Sequence, residues 1–191
     1  MSVTKWAIDA VHSEITFKVK HLMISTVTGH FNKFNLEVET ENDDFSKVKK
    51  IEFTADVDSI DTNNEQRNAH LRSADFFNAE ANPQIRFSGT NYEANRDQAN
   101  LNGNLSIAGI TKPITLNVDF GGLVQDPWGG ERAGFTVTGK ISRKEFGLTY
   151  NAATEAGGVV VGDEIKIIAE IQLVKQAKEP AEKEELVEEA R

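Results

Sequence analysis

Alternation is the feature that most constrains this chain. Apolar residues recur at every second position through segment after segment. Ile15, Phe17 and Val19 alternate with Glu14, Thr16, Lys18 and Lys20. Ile51, Phe53, Ala55 and Val57 alternate with Glu52, Thr54, Asp56 and Asp58. The same pattern runs through Ile85–Phe87, Leu101–Ile107, Ile114–Phe120, Phe135–Ile141 and Ile165–Leu173. Successive side chains of a strand point to opposite faces, so period two means one face buried and one face wet. Persistent one-sided strands are the mark of an antiparallel sheet.

Turn chemistry separates the strands: Asn82-Pro83, Ala108-Gly109, Gly121-Gly122, Pro127 to Gly130, and Gly157-Gly158. In the first hairpin, a turn centred between Ser25 and Thr26 would set His21 against His30, Phe17 against Phe34 and Ile15 against Leu36. Phe31 has the opposite parity to Phe34, Leu36 and Val38, which predicts a β-bulge near Asn32-Lys33. One segment lacks period two. Residues 62–72, rich in capping and polar types, predict a short helix from about Asn64 to Ser73. Phe76 and Phe77 follow; on a strand they could not both face inward, so one is expected to plug a mouth or meet a ligand. Long one-sided strands with a single short helix predict an all-β fold: an eight-stranded antiparallel barrel, whose closure removes exposed edges.

Composition excludes several functions. The chain has 191 residues, a net charge of −9 and no Cys. No disulfide, thiolate nucleophile or Cys-ligated zinc can form. An acidic chain without a basic tract is a poor nucleic-acid binder. No apolar run is long enough for a membrane helix. The start of the sequence shows no apolar signal core, so a cytoplasmic location is expected. Residues 177–191 hold six Glu against Lys178, Lys183 and Arg191. The barrel domain is therefore expected over 1–175, with an acidic tail, helical or disordered, over 176–191.

An eight-stranded barrel can be filled by its side chains or hold one small ligand. The inward parity set includes Gly89, Gly103, Gly139, Ala55 and Ala169. Small inward residues leave volume, but glycines also relieve bending in coiled strands, so both readings stand on periodicity. The rest of the inward set is aliphatic or Phe. Such an interior suits a hydrocarbon chain, at about 0.8 kcal/mol per buried methylene, and cannot compensate a buried ion.

Five stretches together resemble the YceI-like family of lipocalin-like polyisoprenoid-binding proteins. They are Trp6-Ala7-Ile8-Asp9-Ala10-Val11-His12-Ser13 onward to Phe17, Ser59 through Phe77, Leu105-Ser106-Ile107-Ala108-Gly109-Ile110-Thr111-Lys112-Pro113, Ser142 through Leu148, and Val161 through Ile167. In order and spacing they cover residues 6 to about 174. Asn68 stands where members often carry Asp. The resemblance implies an extended hollow barrel for a long isoprenoid or similar amphiphile, such as a quinone precursor, with a homodimer as a reasonable assembly. No cofactor is expected, and no catalysis, because the inward positions hold almost no titratable groups. A stress-related interaction protein with a filled barrel is the alternative.

The residues expected to line the pocket are Phe17, Val19, Phe31, Phe53, Phe76, Phe77, Phe87, Leu105, Ile107, Leu116, Phe135 and Val137. Arg67, His70 and Arg72 are the candidates for a polar head group, against the simpler reading that the arginines cap or pair with Asp56, Asp58, Asp61 and Asp75. His12 and His70 are expected to make structural polar contacts. A metal site between His21 and His30 would have two ligands, too few for zinc. Asp56 and Asp58 have outward parity, which makes them surface acids rather than an acid–base pair. No nucleophile elbow, zinc-protease or phosphate-loop motif is present.

Overall fold

The structure, a computed structural model, describes residues 1–152, 158 and 160–178. The alternating segments form eleven strands: β1 (Val3–Ile8), β2 (Glu14–His21), β3 (Ser25–Phe31), β4 (Phe34–Glu41), β5 (Asp44–Asp56), β6 (Ile60–Asp61), β7 (Gln84–Asn95), β8 (Gln98–Ile107), β9 (Ile110–Gln125), β10 (Glu131–Ser142) and β11 (Val161–Lys175). Their antiparallel pairing runs β1-β4-β5-β7-β8-β9-β10-β11 and returns from β11 to β1. This is a closed barrel of eight staves, β1–β2, β3–β4, β5–β6 and then β7 to β11 singly, in which each stave neighbours the next along the chain.

The extra segments arise because three staves of the barrel are broken. β1 and β2 pair along the same edge of β11, Ile8 opposite Leu173 and Ile15 opposite Ala169. Between them Ala10–His12 bulges out as a 3-10 turn whose Asp9 cap accepts from the Val11 N–H at 3.1 Å. The second stave breaks at Asn32-Lys33, where the change of parity predicted a bulge. β3 pairs with β2, and β4 with β1 and β5. Phe31 and Leu36 have opposite parity, yet both side chains face the interior.

The first hairpin differs from the sequence expectation. It centres on Met23, with His21 opposite Ser25, Phe17 opposite Gly29 and Ile15 opposite Phe31. The turn is built by Leu22 and Met23 in left-handed backbone, φ 51° and 59°, which no glycine or Asn announced. His21 and His30 therefore do not meet. A second correction concerns Gly121-Gly122. They end no strand; β9 runs through them, and Gly121 is the extra residue of a bulge opposite Gly134 and Phe135. The turns at 82–83, 108–109 and 127–130 fall where expected. Gly157 lies outside the described residues, as does the tail from residue 179 onward.

The helix α1 (Glu65–Arg72) matches its expected span, with Asn64 Oδ1 capping the Arg67 N–H at 2.9 Å. Asn68 is its one buried residue. Its Oδ1 accepts from both the N–H and the hydroxyl of Thr62, at 2.8 and 2.6 Å, and its Nδ2 donates to Asp61. A neutral amide thus holds the helix to the Asp61-Thr62 end of β6.

The inward glycines have a third role beyond the two expected. A Cβ on Gly103 would overlap the Phe87 ring and lie 2.5 Å from the Ser88 carbonyl oxygen, and one on Gly29 would overlap the Phe17 ring. These glycines seat aromatic rings from neighbouring strands, a device that fixes register. Gly103→Ala should lower stability by about 1–3 kcal/mol in urea unfolding. Gly134→Ala, where a Cβ meets nothing within 4 Å, should change it by less than about 0.5 kcal/mol.

Candidate functional site

The inward faces of the eight staves do not fill the barrel. They enclose a cavity of about 260 Å³ whose free wall, among the described residues, is apolar. The cavity is long. Along β11 alone its lining runs from Val161 to Leu173, roughly 40 Å of strand. At the usual strand tilt that is about 30 Å along the barrel axis. A modest volume over such a length makes a tunnel one chain wide.

The structure places the twelve candidate ligand-binding residues around this cavity. Phe76 and Phe77 both reach it because they lie in a turn rather than a strand and escape its alternation. Sequence reasoning missed Phe45, Tyr92 and Arg143 as lining residues. Phe45 lies outside the alternating core of β5. Tyr92 sits beyond the register shift between Gly89 and Asn91. Arg143 is charged, and no pattern marks a charged residue as internal.

The two ends differ. At the end formed by β1, β4 and the β9–β10 turn, aromatic rings stack into a plug. Phe45 lies 4.7 Å from Trp6, 5.7 Å from Phe120 and 5.0 Å from Phe135, centroid to centroid. Trp6 is 1% exposed, and its indole N–H donates to the Thr40 hydroxyl at 3.0 Å. Outside this plug, Arg132 donates to Asp9 at 2.6 Å and to Asp126 at 2.8 Å, clipping the Asp9–His12 turn to the β9–β10 turn. The His12 ring and the Arg132 guanidinium hold the Asp9 carboxyl down at about 2.

The other end is made by α1, the Phe76-Phe77 turn, the β2–β3 hairpin and the start of β11. Phe77 packs edge-on against Phe31 at 6.3 Å. Arg143, 3% exposed, organises this end. Its guanidinium donates to the carbonyls of Leu148, Tyr150, Val161 and Gly162 at 2.6, 2.9, 3.2 and 2.8 Å. Burial pushes the Arg143 pKa down. Four carbonyl dipoles stand in for water around this cation, and Asp163 is the nearby carboxylate that favours its charge.

The three head-group candidates lie beside this end, and none lines the cavity. Arg67 donates to the Thr62 hydroxyl and carbonyl at 2.8 and 2.5 Å. Arg72 donates to Glu65 at 2.6 Å. His70 bonds Asp75 at 2.9 Å and meets Phe76 and Tyr150 edge-on at 5.1 and 4.8 Å. Asp58 meets Arg72 only through its backbone carbonyl, at 3.5 Å, and Asp61 bonds Asn63 and Asn68 instead.

These features define a class: a closed antiparallel barrel that keeps a narrow apolar tunnel inside a charged shell. The chain belongs to the YceI-like domain family, whose model matches residues 6–173. A UPF0312 protein of Staphylococcus epidermidis is 40% identical over 168 residues, covering 87% of this chain and 95% of its own length. The Campylobacter jejuni YCEI protein is 31% identical with a TM-score of 0.72, covering 83% of this chain and 90% of that one. A polyisoprenoid binding domain from Saccharophagus degradans, described as implicated in plant cell wall breakdown, has a TM-score of 0.65 at 14% identity. It covers 91% of this chain and 98% of its own, and at that identity the likeness is one of fold.

Two outcomes check the two ends. Arg143→Lys keeps the charge but loses the fork that reaches four carbonyls. It should cost about 2 kcal/mol and speed amide exchange at residues 148–150 and 160–162. At the plug, Asp9 is depressed in the folded state. Its contribution is present above its unfolded pKa of about 4 and is lost as pH falls towards 2. The stability gap between wild type and Asp9→Asn should therefore be full at neutral pH and close across that acid window in pH-dependent urea melts.

Proposed function

We propose that the barrel binds and carries or stores one long-chain amphiphile, of isoprenoid type, threaded along the tunnel. The observation that carries this reading is the cavity itself. At about 24 cal/mol per Å³, an empty apolar space of 260 Å³ would cost about 6 kcal/mol, comparable with the whole stability of many domains. An occupant removes that cost. Among the described residues the wall exposes apolar surface to the cavity, so it recognises a chain by burial and leaves a head group to the end of the barrel near α1. His70 and the Arg143-bound carbonyl loops lie at that end. The resemblance to a polyisoprenoid binding domain supports a branched, unsaturated chain.

The same wall speaks for carriage rather than catalysis. Among the described residues its lining offers only Tyr92 and Arg143 as titratable groups. Burial pushes the Tyr92 phenol up, and Arg143 is engaged by four carbonyls. A filled barrel acting through its surface is the competing reading.

Native mass spectrometry and solvent extraction of protein purified without added lipid should release a hydrocarbon-chain amphiphile in about one-to-one ratio. Ala169 lines the tunnel. Ala169→Leu should abolish that occupancy while the delipidated variant stays within about 1 kcal/mol of wild type, because the added methyls enter empty space. A loss of about 1–3 kcal/mol, the usual effect of overpacking, with an apo mass for wild type, would indicate a solid core and overturn the carrier reading.

A further inference from the structure

The tip of the β2–β3 hairpin is Leu22-Met23-Ile24, and all three side chains are exposed, by 40%, 59% and 83%. The His21 carbonyl accepts from the Ile24 N–H at 3.2 Å, and the two residues between, Leu22 and Met23, are both left-handed. A turn with two left-handed central residues favours Asn-Gly, which reach that region without steric conflict. Elsewhere among the described non-glycine residues such backbone is met by Asn42, Asn63 and Asn78, and by Arg96 and Ala108, none of them a large apolar residue. The tip therefore holds bulky apolar side chains in water, on backbone that disfavours them. Neither local folding nor the barrel core asks for them there.

The wall below the tip is basic. On the outer face Lys18 lies directly opposite Lys166, and Lys166 opposite Lys140. Lys20 follows Lys18 towards the tip. Among the described residues Lys18, Lys20 and Lys166 make no ion pair, while Lys140 meets Glu164 at 3.7 Å. Like charges facing each other across a ladder are destabilising, and here they gather on a chain of net charge −9. The opposite end of the barrel makes the contrast. Trp128 and Val124 are exposed there too, but on an end that carries Asp43, Asp126 and Glu131, where Arg132 and Lys175 are already paired with those acids and Asp9.

We propose that the Leu22-Met23-Ile24 tip and the Lys18, Lys20, Lys166 and Lys140 face dock the barrel onto an anionic lipid surface. The tip enters the headgroup layer and the lysines meet its charge. This hairpin borders the end of the tunnel bounded by Val19, Phe76 and Val161, so docking brings the tunnel against the bilayer from which an amphiphile is taken. The inference rests on the carrier reading for its purpose, and its test is separate.

The test is co-sedimentation with vesicles of equimolar phosphatidylcholine and phosphatidylglycerol, against vesicles of phosphatidylcholine alone. The protein should bind the anionic vesicles and release in high salt. Leu22→Asn with Met23→Gly should lower binding about tenfold or more, with an unchanged or raised melting temperature because that pair suits the turn. Lys18→Gln with Lys166→Gln should lower it by about fivefold for each lysine lost. Trp128→Ser should bind as wild type. Wild-type binding by the tip variant, equal loss in Trp128→Ser, or conversion of a dimer to a monomer by the tip variant without vesicle binding would overturn docking. Lipid extraction keeps the two readings apart. Bound amphiphile in a protein that ignores vesicles overturns docking alone, and an empty tunnel in a protein that binds them overturns carriage alone.

Discussion

Ring closure between β1 and β11 is the constraint on which the rest depends. Once Trp6–Ile8 pair with Leu173–Lys175, every stave has two neighbours and one parity of every strand is committed to the interior. Inside and outside are then decided for the whole chain at once, since a one-residue slip in any ladder would turn an apolar row to water. Closure also removes the edges that strands as long as β9 and β11 would otherwise offer to other chains. Trp6 binds this seam to the core, donating to Thr40 in the neighbouring stave and packing on Phe45 in the next but one.

A closed ring of eight staves has a circumference that its side chains need not fill. Rings that could have crossed the axis lie instead over glycines of adjacent strands, as Phe17 does over Gly29 and Phe87 over Gly103. The aromatic mass is pressed against the wall, and a narrow tunnel remains along the axis. The rings gathered at one end, Trp6, Phe45, Phe120 and Phe135, plug it there. The other end is built of a helix, a turn and carbonyl loops gathered by Arg143. A tunnel sealed by stacked rings at one end and by loops at the other has a direction.

Much of this was legible beforehand. Period two marked the strands, the polar stretch around Asn64 marked the helix, and the parity change between Phe31 and Phe34 marked the kink at Asn32-Lys33. Each is a local signal with a local cause. The failures were also physical. The first hairpin turns on Leu22 and Met23, whose left-handed backbone carries no residue signature, so polar Ser25-Thr26 looked like the better turn. Gly121-Gly122 read as a terminus, although a glycine also permits a bulge within a continuing strand. Arg143 is internal because four carbonyls solvate it, an arrangement assembled from residues up to nineteen positions away.

By itself the sequence determined the class of fold, the side of each strand that faces inward and the apolar nature of what lies there. Those follow from periodicity and side-chain chemistry, which are properties of neighbours along the chain. Tertiary structure alone decided that the barrel is hollow, how wide the tunnel is and which end is plugged. Those depend on where a ring from one strand comes to rest against another, and packing across strands leaves no period in the sequence.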